Sequence, residues 1–455
     1  MAADAVPSAK VEYAPADAPK PPLELGLRMR LSVMMFLQFA VWGAWFTVLG
    51  NYLGALKFSG AWVGNIYGTM ALGAIVSMMV AGQIADRFVA AEKLMAACHL
   101  IGAGLLFAMS QATEPVPFYV AALAYALVYN PTLVLSNSIA FTHVPDAARD
   151  FPTLRVLGTI GWIAAGMFVG QVLGAEAGAG ADIAKALFGK SLGAGVAASN
   201  QPLMLASGVS LLLGLFSLAL PHTPPKGGSG DLFPALKAFR LLKDPSFGIF
   251  FGLSLAITIA LAFYYGFTGQ FLGDRGIKDI AGTMTIGQWS EIGFMLALPL
   301  ALKTLGMKTV LAVGMGAWVV RYGVFSQAGD SFPMLVVGVA LHGICFDFFL
   351  AAGFIHTDNK APASIRSSAQ ALFSFLTYGV GMFIGNVISG FVVDANTTKT
   401  VVGGVETAVK NWSVIWLIPA GAAAVCLLAF LALWQDTPGK LEEEGGPAPT
   451  EKPAA

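Results

Sequence analysis

Among the charged and amide side chains inside long apolar runs of this chain, five have types and spacing that limit the chemistry it can do. In LHGICFDFFLAAGF, from Leu341 to Phe354, one carboxylate, Asp347, is flanked by Phe346 and Phe348. In MTIGQWSEIGFMLALPLALK, Gln288 and Glu291 are three residues apart, which puts an amide and an acid on one helical face. AWVVRYGVFSQ carries Arg321, and DFPTLRVLGTIGW sets Arg155, Thr159 and Trp162 at i, i+4 and i+7 along one face. A charge at bilayer depth is costly, so such groups face a bundle interior or a watery cavity. Acids placed there can exchange protons, because desolvation disfavours a bare carboxylate and makes it a workable proton carrier near neutral pH. A guanidinium, a hydroxyl, an amide and an indole offer donors and a stacking surface to a planar polar solute.

Lesser candidates share these runs. His342 and Phe346 lie on one stripe with Asp347 beside it, Gln38 and Trp42 are four apart, and Tyr129, Asn130 and Asn137 surround Pro131. Structural readings stand beside the functional ones. Arg321 can pair with Glu291 or Asp347 to pin helices, Arg155 can reach from a membrane mouth to water, and Trp42 and Tyr129 can simply pack. His99 and His356 read as hydrogen-bonded structural histidines, and Cys98, Cys345 and Cys426 as small core residues. No metal spacing, phosphate-binding loop or nucleophile elbow is present, so neither an enzyme nor a cofactor is expected.

The elements that must hold these groups follow from composition. Of 455 residues, 56% are hydrophobic and 11% charged, against about a quarter charged in soluble domains. The pattern predicts an all-α membrane protein with twelve spans of roughly 18 to 25 residues, centred near 42, 72, 102, 128, 165, 210, 258, 292, 318, 343, 378 and 422. The basic segment from Pro221 to Asp244 divides them into six and six. The expected units are a tail over 1–27, a bundle over 28–220, a linker over 221–244, a bundle over 245–435 and a tail over 436–455. No signal peptide is recognised. With alternating loops, 18 Lys and Arg fall on the side of the termini and 7 on the other, which predicts both termini in the cytoplasm. The zero net charge gives no reason to expect a nucleic acid partner.

Two six-span halves joined by an inner basic linker resemble the major facilitator superfamily. GQIADRFVAAEK agrees with it, being similar to that superfamily's loop motif at Gly82, Asp86 and Arg87, a candidate conformational gate. FLQFAVWGAWFTVLGNY, ACHLIGAGLLFAMSQ, YNPTLVLSNSIAF, DFPTLRVLGTIGW, QWSEIGF, CFDFF and SSAQALF, in this order, resemble the bacterial nucleoside:proton symporter family. The resemblance implies alternating access around a central site that takes a nucleoside and a proton across the inner membrane, by a monomer in the lipid bilayer. It places solute contacts at Arg155, Thr159, Trp162, Gln288, Glu291, Phe346 and Asp347, with Gln38 and Tyr265 as further candidates and Asp347 and Glu291 as proton carriers. Span 7 departs: Ala262 and Tyr265 stand where a family amide pair is expected, and His342 replaces a tyrosine in span 10. The alternative is a proton-coupled or facilitative porter for a sugar or nucleobase. A sensor without flux is a third reading.

Overall fold

In lipid the backbone must satisfy its own polar groups, so the long apolar runs wind into helices. The computed structural model describes residues 21–87, 89–225, 238–362, 365–402 and 405–435; the side chains of 78–88, and with them the Gly82, Asp86 and Arg87 gate, lie outside the described residues. Each expected span centre falls on helix. Span 1 is Leu25–Gly43, continued through a tight turn by Leu49–Ala55. Spans 2, 3 and 4 are Gly60–Arg87, Ala91–Gln111 and Pro115–His143. Span 5 is Ala147–Met167 prolonged by the π-helical turn Phe168–Leu173, and span 6 is Gln201–Ser217. Pro245–Asp274 is span 7. Spans 8 and 9 form one 48-residue run, Ile280–Gln327, broken only at Gly306. Spans 10, 11 and 12 are Phe332–Lys360, Arg366–Ala395 and Trp412–Leu433. Among the described residues, nine helices are individually long and apolar enough to cross a membrane, and the pair Gly178–Ala198 and Gln201–Ser217, bent by 112°, makes a tenth. The 48-residue run counts once there although it holds two spans, and span 2, Gly60–Arg87, is the twelfth, outside that count because its side chains are described only in part.

The contacts repeat between halves. Span 1 packs on span 5, 2 on 4 and 3 on 6, and correspondingly span 7 packs on 11, 8 on 10 and 9 on 12. This is the internal repeat expected of two parallel-related halves. Small residues let backbones meet: a Cβ at Gly43 would stand 2.7 Å from the Trp162 carbonyl oxygen, so span 1 presses directly on span 5.

The halves meet mainly along span 2 with span 11, span 1 with span 7 and span 5 with span 8. Their described bonds gather where span 1 ends and span 2 begins. Asn51 Nδ2 donates to the Gly269 carbonyl at 3.0 Å, and Gln270 Nε2 to the Gly50 carbonyl at 2.6 Å. Asp394, at the end of span 11, accepts from the backbone N–H groups of Gly60 (2.5 Å) and Ala61 (2.8 Å). A carboxylate of one half thereby caps the first turn of a helix of the other, where free N–H groups and the helix dipole favour negative charge. A Cβ at Gly60 would lie 2.6 Å from the Gly390 carbonyl oxygen, so the same crossing admits no side chain. At this end sits an antiparallel hairpin, β1 (Thr397–Val402) and β2 (Val405–Lys410), which periodicity did not announce.

Candidate functional site

Between the halves lies a cavity of about 580 Å³. The first half contributes Trp42 and Phe46 from span 1, Tyr67 and Met70 from span 2, Asn130 and Asn137 from span 4, and Arg155, Thr159 and Trp162 from span 5. The second contributes Tyr265 from span 7, Gln288 and Glu291 from span 8, His342 and Phe346 from span 10, and Ser374, Tyr378 and Asn386 from span 11. The i, i+4, i+7 face of span 5 and the i, i+3 pair of span 8 both point inward, as helical spacing requires.

The charged groups sit on opposite walls. Arg155 lies with its guanidinium carbon 4.1 Å from the Phe39 ring centroid, and no carboxylate stands within 4.0 Å of it among the described residues. It faces Glu291 electrostatically across the cavity. Glu291 retains 22% side-chain exposure, and its Oε2 lies 3.9 Å from His342 Nε2. Gln288 is buried, with Oε1 unpartnered, an acceptor available to a solute. Aromatic rings close the walls: Trp42 meets Trp162 edge-on at 5.1 Å, and Phe46 meets Tyr265 across the halves at 5.7 Å. Apolar rings around a few convergent polar groups suit a small solute with a flat, polar part.

Asp347 stands apart from this lining. It is fully buried, and neither carboxyl oxygen has a hydrogen-bond partner. Its segment, Phe346–Ala351, is π-helical; Phe346 turns to the cavity while Asp347 is directed into the packing behind it. Glu291 and Tyr378 remain its electrostatic neighbours. An acid so placed lacks the donors that would compensate a charge, and so needs a proton or an incoming donor.

Gln38, expected at the site, is absent from the cavity wall. Its Nε2 donates to Thr132 Oγ1 at 2.7 Å, its Oε1 lies 2.9 Å from His99 Nε2, and its carbonyl accepts from the Tyr129 hydroxyl at 2.8 Å. Its donors and acceptor are used inside the first bundle, and one turn later Trp42 takes the cavity-facing position. The same network makes His99 the hydrogen-bonded structural histidine that was expected. Arg321 forms no ion pair with Glu291 or Asp347. Its Nε donates to the Gly338 carbonyl at 3.1 Å, and its guanidinium carbon lies 3.3 Å from the Tyr264 ring centroid.

The sequence reading missed the cavity face of span 11. Ser374, Tyr378, Met382 and Asn386 recur every four residues and all line the cavity. That spacing was the available signal, obscured because no residue in it is charged.

Comparison with known proteins gives a coherent result. The family described as Nucleoside H+ symporter matches residues 25–438. YegT of Escherichia coli K12 is 37% identical over 423 residues, covering 90% of this chain and 95% of YegT. The xanthosine permease of the same organism is 33% identical over 428 residues, 89% of this chain and 95% of its own. The crystal structure of the nucleoside transporter NupG superposes with a TM-score of 0.77 at 30% identity, covering 90% of this chain and 99% of that one. Twelve helices in two repeated halves, a central cavity of mixed polar and aromatic walls, and a family match over almost the whole length agree: the chain belongs to the nucleoside H+ symporter family, with the major facilitator fold.

Proposed function

We propose that this protein imports nucleosides across a bacterial inner membrane together with protons, by alternating access, with both termini in the cytoplasm. The observation that carries the reading is the cavity between the halves, with Arg155 on one wall, Glu291 on the other and the unpartnered carboxyl group of Asp347 just behind. Arg155, Thr159 and Gln288 hold the polar edge of the solute; Trp162, Phe346 and Tyr265 cover its base. Glu291 bonds a solute hydroxyl, and Asp347, with Glu291 as its electrostatic neighbour, carries the proton. A proton and a solute together leave no uncompensated charge in the cavity, and each biases the cycle by its differential affinity for the two states. The two bundles, 28–220 and 245–435, rock about this site. In this orientation the bonds of Asn51, Gln270 and Asp394 close the outer end.

The test is uptake of uridine and xanthosine into proteoliposomes with the outside acid. Accumulation above the external concentration, collapsed by a protonophore, is expected. Uptake that only equilibrates, at any pH gradient, overturns the coupling. Span 7 supports one further comparison, because Tyr265 lines the cavity whereas Ala262 is buried away from it. A phenol in place of two amides leaves fewer groups to read a base, and competition by sugars and free nucleobases measures how far that widens selectivity.

A further inference from the structure

Arg321 is a fully buried cation with no carboxylate within 4.0 Å among the described residues, and one of its nitrogens, Nη2, has no partner. Such a group is expensive to retain, and its surroundings suggest what it does. Its Nη1 lies 3.4 Å from Nδ1 of His342 in span 10. The imidazole also stacks on Tyr264 of span 7, ring centroids 5.0 Å apart and planes inclined by 18°, while the guanidinium covers the Tyr264 ring. Opposite, a Cβ added at Gly287 of span 8 would stand 3.1 Å from the His342 Cβ, so the ring has little room to turn.

A guanidinium has only N–H donors. Toward Arg321, therefore, His342 Nδ1 must present its lone pair, and the ring proton sits on Nε2. That nitrogen points to Glu291, 3.9 Å away, and His342 lines the cavity. We infer that Arg321 is a positioning residue for the central site: it fixes His342 in the Nε2–H tautomer, so that the imidazole turns its single N–H toward the cavity, facing Glu291 and available to an acceptor oxygen of the solute. Without Arg321 either tautomer is open to the ring, and the Nδ1–H form turns an acceptor toward Glu291, placing two lone pairs face to face.

The solute half of this inference rests on the transport reading above; the tautomer half does not. Two measurements separate them. Nitrogen-15 NMR of histidine-labelled protein in lipid, with His342 assigned by difference from H342Q, is expected to show Nδ1 bare and Nε2 protonated, and R321M to move the population toward Nδ1–H. An Nδ1–H or doubly protonated ring in the unaltered protein, or a ring unmoved by R321M, overturns the inference whether or not uridine is transported. In uptake assays, R321M is expected to raise KM by roughly five- to tenfold, the worth of about one hydrogen bond, and to have no further effect in an H342Y background, where the phenol needs no tautomer. Equal effects in both backgrounds would make Arg321 a packing residue and overturn it too.

Discussion

Residues that share a helical face set the polar parts of the two cavity walls. Arg155, Thr159 and Trp162 reach the cavity together because spacings of four and three residues keep them on one helical face, and Gln288 and Glu291 do so for the same reason. Whether a single polar residue faces a cavity or a neighbour depends on partners from distant segments, which no local pattern contains. Gln38 is the instance: its bonds go to Thr132 and His99, 94 and 61 residues away. Q38A is expected to leave uptake KM within about twofold while costing ~1–3 kcal/mol of stability through the buried groups it orphans, read as a lower unfolding temperature in detergent. Asp347 is the opposite case, an acid conspicuous in the sequence whose place behind the wall could not be read. D347N is expected to keep solute counterflow but lose accumulation driven by an acid exterior. Full accumulation by D347N would remove Asp347 from the coupling.

Elements were legible as apolar runs, but their irregularities were not. Among the described residues, three spans contain π-helical turns, Phe168–Leu173, Phe346–Ala351 and Phe375–Gly381. Such turns insert a residue into the helical phase and are frequent at functional sites. They explain why adjacent Phe346 and Asp347 serve different surroundings, and no composition signal marks them. The crossing of spans 2 and 11 is equally hidden, since the Asp394 cap is made across the halves, with Gly60 more than three hundred residues away. Replacing a helix-capping aspartate by alanine costs ~1 kcal/mol, so D394A is expected to shift the balance about fivefold toward an open outer end. The check uses N386C, a cavity-lining position, whose labelling by an impermeant thiol reagent from outside should rise in proportion. The native thiols Cys98, Cys345 and Cys426 are buried and leave a low background.

At the scale of the molecule, twelve spans and their division into two sixes follow from hydropathy and one basic linker, whereas the state of the machine does not. Closure where span 1 meets span 7 comes from side chains reaching across to backbone carbonyls, as Asn51 does to Gly269 at 3.0 Å. At Gly273, one turn on, an added Cβ would meet only the Asn51 and Ile280 side chains, so an N51C/G273C pair, oxidised to a disulfide, is expected to hold that end shut and stop uptake, with reduction restoring it; uptake unaffected by the bond would mean that this end does not open during transport. Among the described connections, one works differently from the loops. Spans 8 and 9 are joined by Gly306 alone, whose φ of 76° is available to glycine at little cost. One arm carries Glu291 and the other Arg321, so the two are indexed to each other like teeth on a single shaft. One inserted residue would turn one arm by about 100° against the other. Lengthening elsewhere can be taken up by slack in a loop; here it would turn the cavity's acid out of phase with the guanidinium that holds the facing histidine, which makes this turn a fixed reading frame for the site rather than a joint.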